Sequence, residues 1–195
     1  MFTGIIEETG IVEKITSQGT NKSFWIRSAL SSSLKIDQSV SHNGVCLTVE
    51  AIEQDLHRVT AIEETLKKTN LGNWQEADTI NLERCMQMNG RIDGHIVQGH
   101  VDTVATCTQV ITKEGSWEYS FTIDENFAAL IIEKGSITLN GISLTIFNVG
   151  KNSFTVAIIP YTYNHSNIPG IKVGSSVNIE FDMIGKYVSR FMQLR

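Results

Sequence analysis

Residues 94–102 read GHIVQGHVD, so two imidazoles, those of His95 and His100, sit within nine residues near the middle of a 195-residue chain. Imidazole titrates near neutrality, and a close pair points either to proton transfer or to a metal. The spacing argues against the metal. Five residues apart suits neither a helical nor a strand ligand pair. On a straight strand the two rings would face opposite ways, although Gly99 is placed to bend it. No metal site is expected. The three cysteines, Cys46, Cys85 and Cys107, are far apart, odd in number and without CxxC spacing. That argues against a disulfide framework or a zinc knuckle and suits a reducing cytoplasm.

These residues sit in a repeated sequence. Residues 39–50 read SVSHNGVCLTVE and residues 136–147 read SITLNGISLTIF. Ser39, Asn43, Gly44, Leu47 and Thr48 recur as Ser136, Asn140, Gly141, Leu144 and Thr145, at an offset of 97, and Cys46 is matched by Ser143. The same offset aligns Thr65 with Thr162, Asn70 with Asn167, and Asn81-Leu82-Glu83 with Asn178-Ile179-Glu180. The starts of the halves align at 95 instead, with Phe2-Thr3-Gly4 against Val97-Gln98-Gly99. A constant offset over more than forty residues marks two copies of one structural unit.

A β-rich frame must position them. Short stretches of Val, Ile, Thr and aromatic residues run from Gly10 to Thr16, Ser23 to Arg27, Val45 to Ile52, Arg58 to Ile62 and Thr79 to Leu82, with counterparts in the second half. The Asn-Gly pairs at 43–44 and 140–141 are hairpin signals. Each half also carries one short helical segment, around Glu63 to Asn70 and Tyr161 to Asn167. The expected fold is all-β: two tandem, similar, small closed β-barrels, over residues 1–94 and 95–182, plus a C-terminal α-helix over 183–195. In that tail Ile184, Tyr187, Val188, Phe191 and Met192 form an apolar stripe at helical spacing. It either packs on its own barrel or forms an oligomer seam.

Bulk properties exclude other classes. Apolar residues make up 41% and charged residues 19%, as in ordinary globular proteins, and the net charge of −5 offers no basic face to nucleic acid or an anionic membrane. No apolar run is long enough to span a bilayer. The opening Met1-Phe2-Thr3-Gly4, soon followed by Glu7-Glu8, lacks the basic and apolar parts of a leader, so none is expected.

The opening MFTGI, the NGVCLTV of the first half, ETLKKTNLG at 64–72, the GHIVQGHVD junction and the NGISLTI of the second half together resemble the alpha-type, trimeric riboflavin synthases over nearly the whole length. That resemblance implies a dismutation of two molecules of 6,7-dimethyl-8-ribityllumazine. One gives a four-carbon unit to the other, yielding riboflavin and 5-amino-6-ribitylaminouracil, with no cofactor or metal. It also implies a homotrimer whose active sites form between the first barrel of one subunit and the second barrel of the next. Two similar pockets suit two identical reactants, since holding both in register raises their effective concentration.

By the same resemblance, the pocket of the first barrel comprises Gly4, Ile5 and Ile6, then Cys46, Leu47 and Thr48, then Thr60, Ala61, Ile62, Glu63, Glu64 and Thr65. That of the second comprises His100, Val101 and Asp102, then Ser143, Leu144 and Thr145, then Ile159, Pro160, Tyr161, Thr162, Tyr163 and Asn164. The methyl on ring carbon seven of the substrate is acidic, and His100 is the first candidate to move its proton. Cys46 is a candidate thiol, or buried filler. Ser39 and Ser143 are candidates to position water or donate hydrogen bonds. Lys134 is a candidate to meet an anionic intermediate, or else a solvated surface group. Thr48, Thr65, Thr145, Thr162 and Glu64 suit the ribityl hydroxyls, and Ile6, Leu47, Val101 and Leu144 the ring faces. The chain departs from the family pattern at Asn140, where many relatives carry Asp, and in the polar stretch Tyr163-Asn164-His165-Ser166.

Two other readings compete. A non-catalytic antenna protein would bind lumazine or flavin without turnover, but such relatives match the GHIVQGHVD junction less closely. A flavin reductase would need a separate nucleotide domain with a Gly-rich loop, and no such motif is present.

Overall fold

The computed structural model describes residues 1–194. The first half forms strands β1 (Glu8–Gln18), β2 (Asn21–Arg27), β3 (Ser39–His42), β4 (Val45–Glu53), β5 (Leu56–Ala61) and β6 (Thr79–Arg84), with helix α1 (Glu63–Lys68) between the last two. They close antiparallel in the order β1-β2-β5-β4-β3-β6. The second half repeats this with β7 (Thr103–Lys113), β8 (Ser116–Thr122), β9 (Ser136–Leu139), β10 (Ile142–Phe147), β11 (Ser153–Ile158), helix α2 (Pro160–Asn164) and β12 (Ser176–Phe181). Its closed order, β7-β8-β11-β10-β9-β12, is the same path. The chain ends in helix α3 (Met183–Gln193), whose N-terminus is capped by the Asp182 side chain accepting from the Ile184 N–H.

Each barrel has one strand more than the sequence pattern suggested. The additions, β3 and β9, have only four residues each. In β3 three of the four are Ser or His, too polar to read as a strand by composition alone. They form because the Asn-Gly turns behind them are type I′ hairpins: φ is positive at Asn43 and Gly44, 47° and 82°, and again at Asn140 and Gly141, 45° and 83°. The helices are shorter than expected, and each is followed by a 3-10 turn, at Asn70–Asn73 and Ile168–Gly170.

Strand alternation sends Val12, Phe24, Val40, Leu47, Val49 and Val59 into the first core, and Phe121, Ile137, Leu139, Phe154, Val156 and Ile179 into the second. The cores differ in one respect. Where the second barrel has Leu139 and Phe154, the first has His42 and His57, both with no exposed surface. His42 Nδ1–H donates to the Val40 carbonyl at 3.0 Å, leaving Nε2 to accept. His57 Nε2 lies 2.8 Å from it and supplies the proton. His57 Nδ1 then accepts from the Ser31 hydroxyl at 2.8 Å. With both rings neutral every ring nitrogen in this chain has a partner.

The barrels are joined by crossing segments. Phe2 and Val97 form an antiparallel bridge, with N–H to carbonyl distances of 2.7 and 3.1 Å. The first segment continues to the second barrel, where the Gly4 carbonyl accepts from Ser143 N–H at 2.8 Å. The other continues to the first barrel, where the Gly99 carbonyl accepts from Cys46 N–H at 2.8 Å. Behind them the two Asn-Gly turns meet back to back. A Cβ on Gly44 would lie 2.9 Å from Gly141 N, so only glycine fits. Buried amides lock the contact: Asn81 Nδ2 donates to the Asn140 carbonyl and Asn178 Nδ2 to the Asn43 carbonyl, each at 2.9 Å. Asn140 Oδ1 accepts from Asn178 N–H at 2.8 Å. Position 140 is therefore a buried acceptor at the seam between barrels.

Candidate active site

The outer face of β3, β4 and β6 gathers the polar residues singled out in the first half. Ser39 pairs with Thr48, and Ser41 with Cys46, across β3 and β4. Cys46 is half-buried, and burial pushes its thiol up from the ordinary range, against a hydrogen bond from Ser39. A thiol so raised stays protonated at neutral pH. Beside Ser39 opens a cleft of about 650 Å³ walled by Thr3, Ile5, Arg84 and Cys85. Leu47 and Ala61 are spent in the core. Thr60 is tied to Ser23 and Glu50 by hydroxyl contacts of 2.8 Å each. After β5 Ile62 is exposed, while Glu63 and Glu64 form ion pairs with Lys67 and Lys68 along α1. Thr65 is half-buried on the same helix.

The matching face of β9, β10 and β12 is built differently. Ser143 Oγ lies 2.7 Å from His95 Nδ1, and His95 Nε2 lies 3.2 Å from Thr138 Oγ1. The pattern fits a Ser143 hydroxyl donating to Nδ1, with Nε2–H directed at Thr138. Burial pulls the His95 imidazole below its ordinary range, and the Asp182 carboxylate opposes it. A neutral imidazole beside a hydroxyl is an arrangement that can accept the proton and return it. Thr145 is exposed next to this pair, Leu144 packs on the barrel core, and the Ser166 hydroxyl donates to the Thr162 carbonyl at 2.6 Å. At this mouth stand exposed Ile159, Pro160, Asn164 and Tyr161, whose ring stacks on His165 at 4.2 Å. Tyr163 is stacked on Trp117, centroids 3.7 Å apart and planes 10° from parallel. This aromatic contact gives order to the stretch that looked irregular in the sequence.

The crossing segments exchange the expected partners. Gly4 and Ile6, expected beside Cys46, lie on the second barrel: Gly4 meets Ser143 and Ile6 packs on the core there. Gly99 meets Cys46, and Val101, expected beside Ser143, packs on the core of the first barrel. The physical reason is the Phe2–Val97 bridge, which commits each segment to the barrel it faces rather than the one it precedes. His100 is exposed on the second of these segments, with its backbone N–H held by Glu180 at 2.9 Å.

Two expected ligand contacts are placed elsewhere. The Asp102 carboxylate binds Lys186 Nζ at 2.9 Å and the Phe181 N–H at 2.9 Å, so it anchors the start of α3. Lys134, in the left-handed region at φ 62°, projects over Phe147 on the outside of the second barrel. Among the described residues, no three His, Cys, Asp or Glu side chains cluster as a metal site requires. Residue-by-residue reading singled out His95 beside His100, but its straight-strand position gave no hint that it reaches Ser143. It also missed Glu83 and Glu180, although their recurrence at an offset of 97 was visible.

Comparison with known proteins agrees with this architecture. The family described as "Lumazine binding domain" matches residues 3–85 and again 98–182. The chain is 40% identical to a riboflavin synthase of Bacillus amyloliquefaciens over 193 residues, covering 98% of this chain and 90% of that protein. It is 36% identical to that of Mycobacterium tuberculosis, covering 99% and 98%, and 34% to that of Saccharomyces cerevisiae, covering 97% and 85%. Among solved structures, LumP complexed with riboflavin superposes with a TM-score of 0.88 at 22% identity, over 93% of this chain and 100% of that one, a likeness of fold. With both barrels matched and the whole length shared with enzymes from bacteria and yeast, the chain belongs to the riboflavin synthase family of lumazine-binding proteins.

Proposed function

We propose that the chain converts two molecules of 6,7-dimethyl-8-ribityllumazine into riboflavin and 5-amino-6-ribitylaminouracil by moving a four-carbon unit between them. The observation that carries this is the pair of like barrels with unlike polar faces: Cys46 and Ser39 on one, Ser143 and His95 on the other. Two identical substrates need two similar pockets, but donor and acceptor play different parts, so the reacting groups must differ. All atoms of the two substrates reappear in the two products, so no oxidant or reductant is needed.

His95 and Ser143 are proposed to activate a hydroxyl or water at the second face, and His100, on its exposed segment, to exchange the proton of the acidic methyl. Cys46, Ser39 and the Gly99 carbonyl bound to Cys46 line the first face. Backbone groups there suit the uracil-like edge of the ring, and exposed Ile62, Ile159 and Tyr161 suit its apolar faces.

The assembly is proposed to be a homotrimer joined through α3. Ile184, Tyr187, Val188, Phe191 and Met192 leave a wide apolar stripe exposed, next to a groove of about 730 Å³ lined by Leu130, Ile132 and Val188. Gly135 and Ser136 line that groove directly after Lys134, which supports a role for Lys134 toward the site of the neighbouring subunit. The proposed setting is the cytoplasm, consistent with three free cysteines. No described helix is long and apolar enough to cross a membrane.

The test is direct. Purified protein is mixed with 6,7-dimethyl-8-ribityllumazine, EDTA and no added cofactor. One riboflavin should appear for every two lumazines consumed. Tight binding without turnover would replace this reading with that of an antenna protein, and neither binding nor turnover would remove both.

A further inference from the structure

The last strand of each barrel carries a glutamate that is almost wholly buried, Glu83 in β6 and Glu180 in β12. Each spends its carboxylate on the backbone of a crossing segment. Glu83 accepts from Thr3 N–H at 2.7 Å, Thr3 Oγ1 at 2.8 Å and Gly4 N–H at 3.0 Å. Glu180 accepts from the N–H groups of Gln98, Gly99 and His100 at 2.6, 2.8 and 2.9 Å. Three bonds to a charged acceptor make a strong clamp, and a buried carboxylate deprived of them has no water to turn to.

We infer that Glu83 and Glu180 are positioning residues, each setting the ligand pocket of the opposite barrel. This rests on the pockets proposed above. Glu83 belongs to the first barrel, but the segment it clamps runs to Ser143 and delivers Ile6 to the second. Glu180 belongs to the second, but its segment runs to Cys46 and delivers Val101 to the first. The path leaves no slack. A Cβ on Gly4 would stand 2.6 Å from Ser143 Cβ, and one on Gly99 would stand 2.7 Å from Cys46 Cβ. A shift of the clamp is therefore transmitted to the pocket wall rather than absorbed.

Glutamine tests this with little change of volume. Its amide keeps one acceptor oxygen but turns an NH2 toward N–H donors, so at least one bond is lost. The assay is hydrogen–deuterium exchange of the full-length protein with and without riboflavin, read in peptides covering residues 60–66 and 159–165. Wild type should be protected in both. Glu83→Gln should lose protection at 159–165 and keep it at 60–66, with the riboflavin midpoint of the affected region raised roughly tenfold. Glu180→Gln should do the reverse. Loss in the same barrel as the substitution, or equal loss in both, overturns the inference. Wild type protected in neither peptide would instead refute the proposed pockets. If Glu83→Gln does not fold, Thr3→Val removes one of the three bonds at constant shape. It should give the same crossed pattern in weaker form, and a symmetric or same-barrel loss overturns the inference equally.

Discussion

Acid should weaken the first barrel through His42 and His57, and the size of the effect follows from their burial. A proton added to His42 puts two N–H groups face to face, and one added to either ring places a charge where neither has exposed surface. Burial holds the His57 imidazole at about 4, against an ordinary value of 6.5. Burial, then repulsion from His57, pulls His42 well below its ordinary range too. Because the folded values are depressed, the unfolded chain takes up protons first as pH falls. Stability is then complete above about pH 6.5 and is lost between 6.5 and 4. For His57 alone the loss between pH 7.5 and pH 5 comes to about 2 kcal/mol, and His42 adds in the same direction. The control is written in the chain. The double variant His42→Leu and His57→Phe copies the residues at the matching positions of the second barrel, Leu139 and Phe154. Urea unfolding is followed at fixed protein concentration at both pH values by tryptophan fluorescence, with Trp25 and Trp74 reporting on the first barrel and Trp117 on the second. Wild type should lose at least about 2 kcal/mol more than the double variant on acidification. Equal losses would show that the pair does not titrate with folding and would refute the proton assignment.

Other expectations are briefer. His100→Ala should cut turnover by roughly tenfold or more while lumazine still binds, and near-normal turnover would remove His100 from the chemistry. Ser143→Ala and His95→Ala should each slow turnover, and the double variant should be little slower than the worse single one; additive losses would mean the two do not act as a unit. A chain ending at Met183 should sediment as a smaller species than the full-length protein, because it lacks the apolar face of α3; an unchanged oligomer would place the seam elsewhere. Gly44→Ala should cost on the order of 1–3 kcal/mol in thermal or urea unfolding, since the added Cβ meets Gly141 N at 2.9 Å and the backbone sits at φ 82°. An unchanged midpoint would show that the turns are free to separate.

The sequence was most legible where one rule acted locally. The offset of 97 exposed two equal units, runs of Val, Ile, Thr and aromatic residues exposed most strands, and Asn-Gly exposed the hairpins. It was least legible where a contact joins residues far apart. Nothing near Asp102 announces that Lys186, on α3, will claim its carboxylate. Nothing near Gly4 says that its carbonyl will meet Ser143 rather than Cys46, because either barrel offers an equivalent edge. The only trace was the shorter offset, 95 rather than 97, at the starts of the halves. The Asn-Gly turns were read as hairpin tips, where such pairs usually face solvent, yet both are buried against each other.

That mutual burial, with the exchanged segments, has a consequence for how such a chain arises. The backbone and amide contacts of the seam recur with the halves interchanged: Gly4 on Ser143 and Gly99 on Cys46, Asn81 on Asn140 and Asn178 on Asn43. This is the pattern of an isologous interface, in which one patch meets its own copy about a two-fold axis. The molecule is in effect a segment-swapped homodimer whose two subunits have been written into one polypeptide. Tethering freed each half to diverge at the reacting positions, so that Cys46 and Ser143 need no longer be the same residue. A symmetric pair of separate barrels would be obliged to present identical chemistry to both substrates; a fused pair is not.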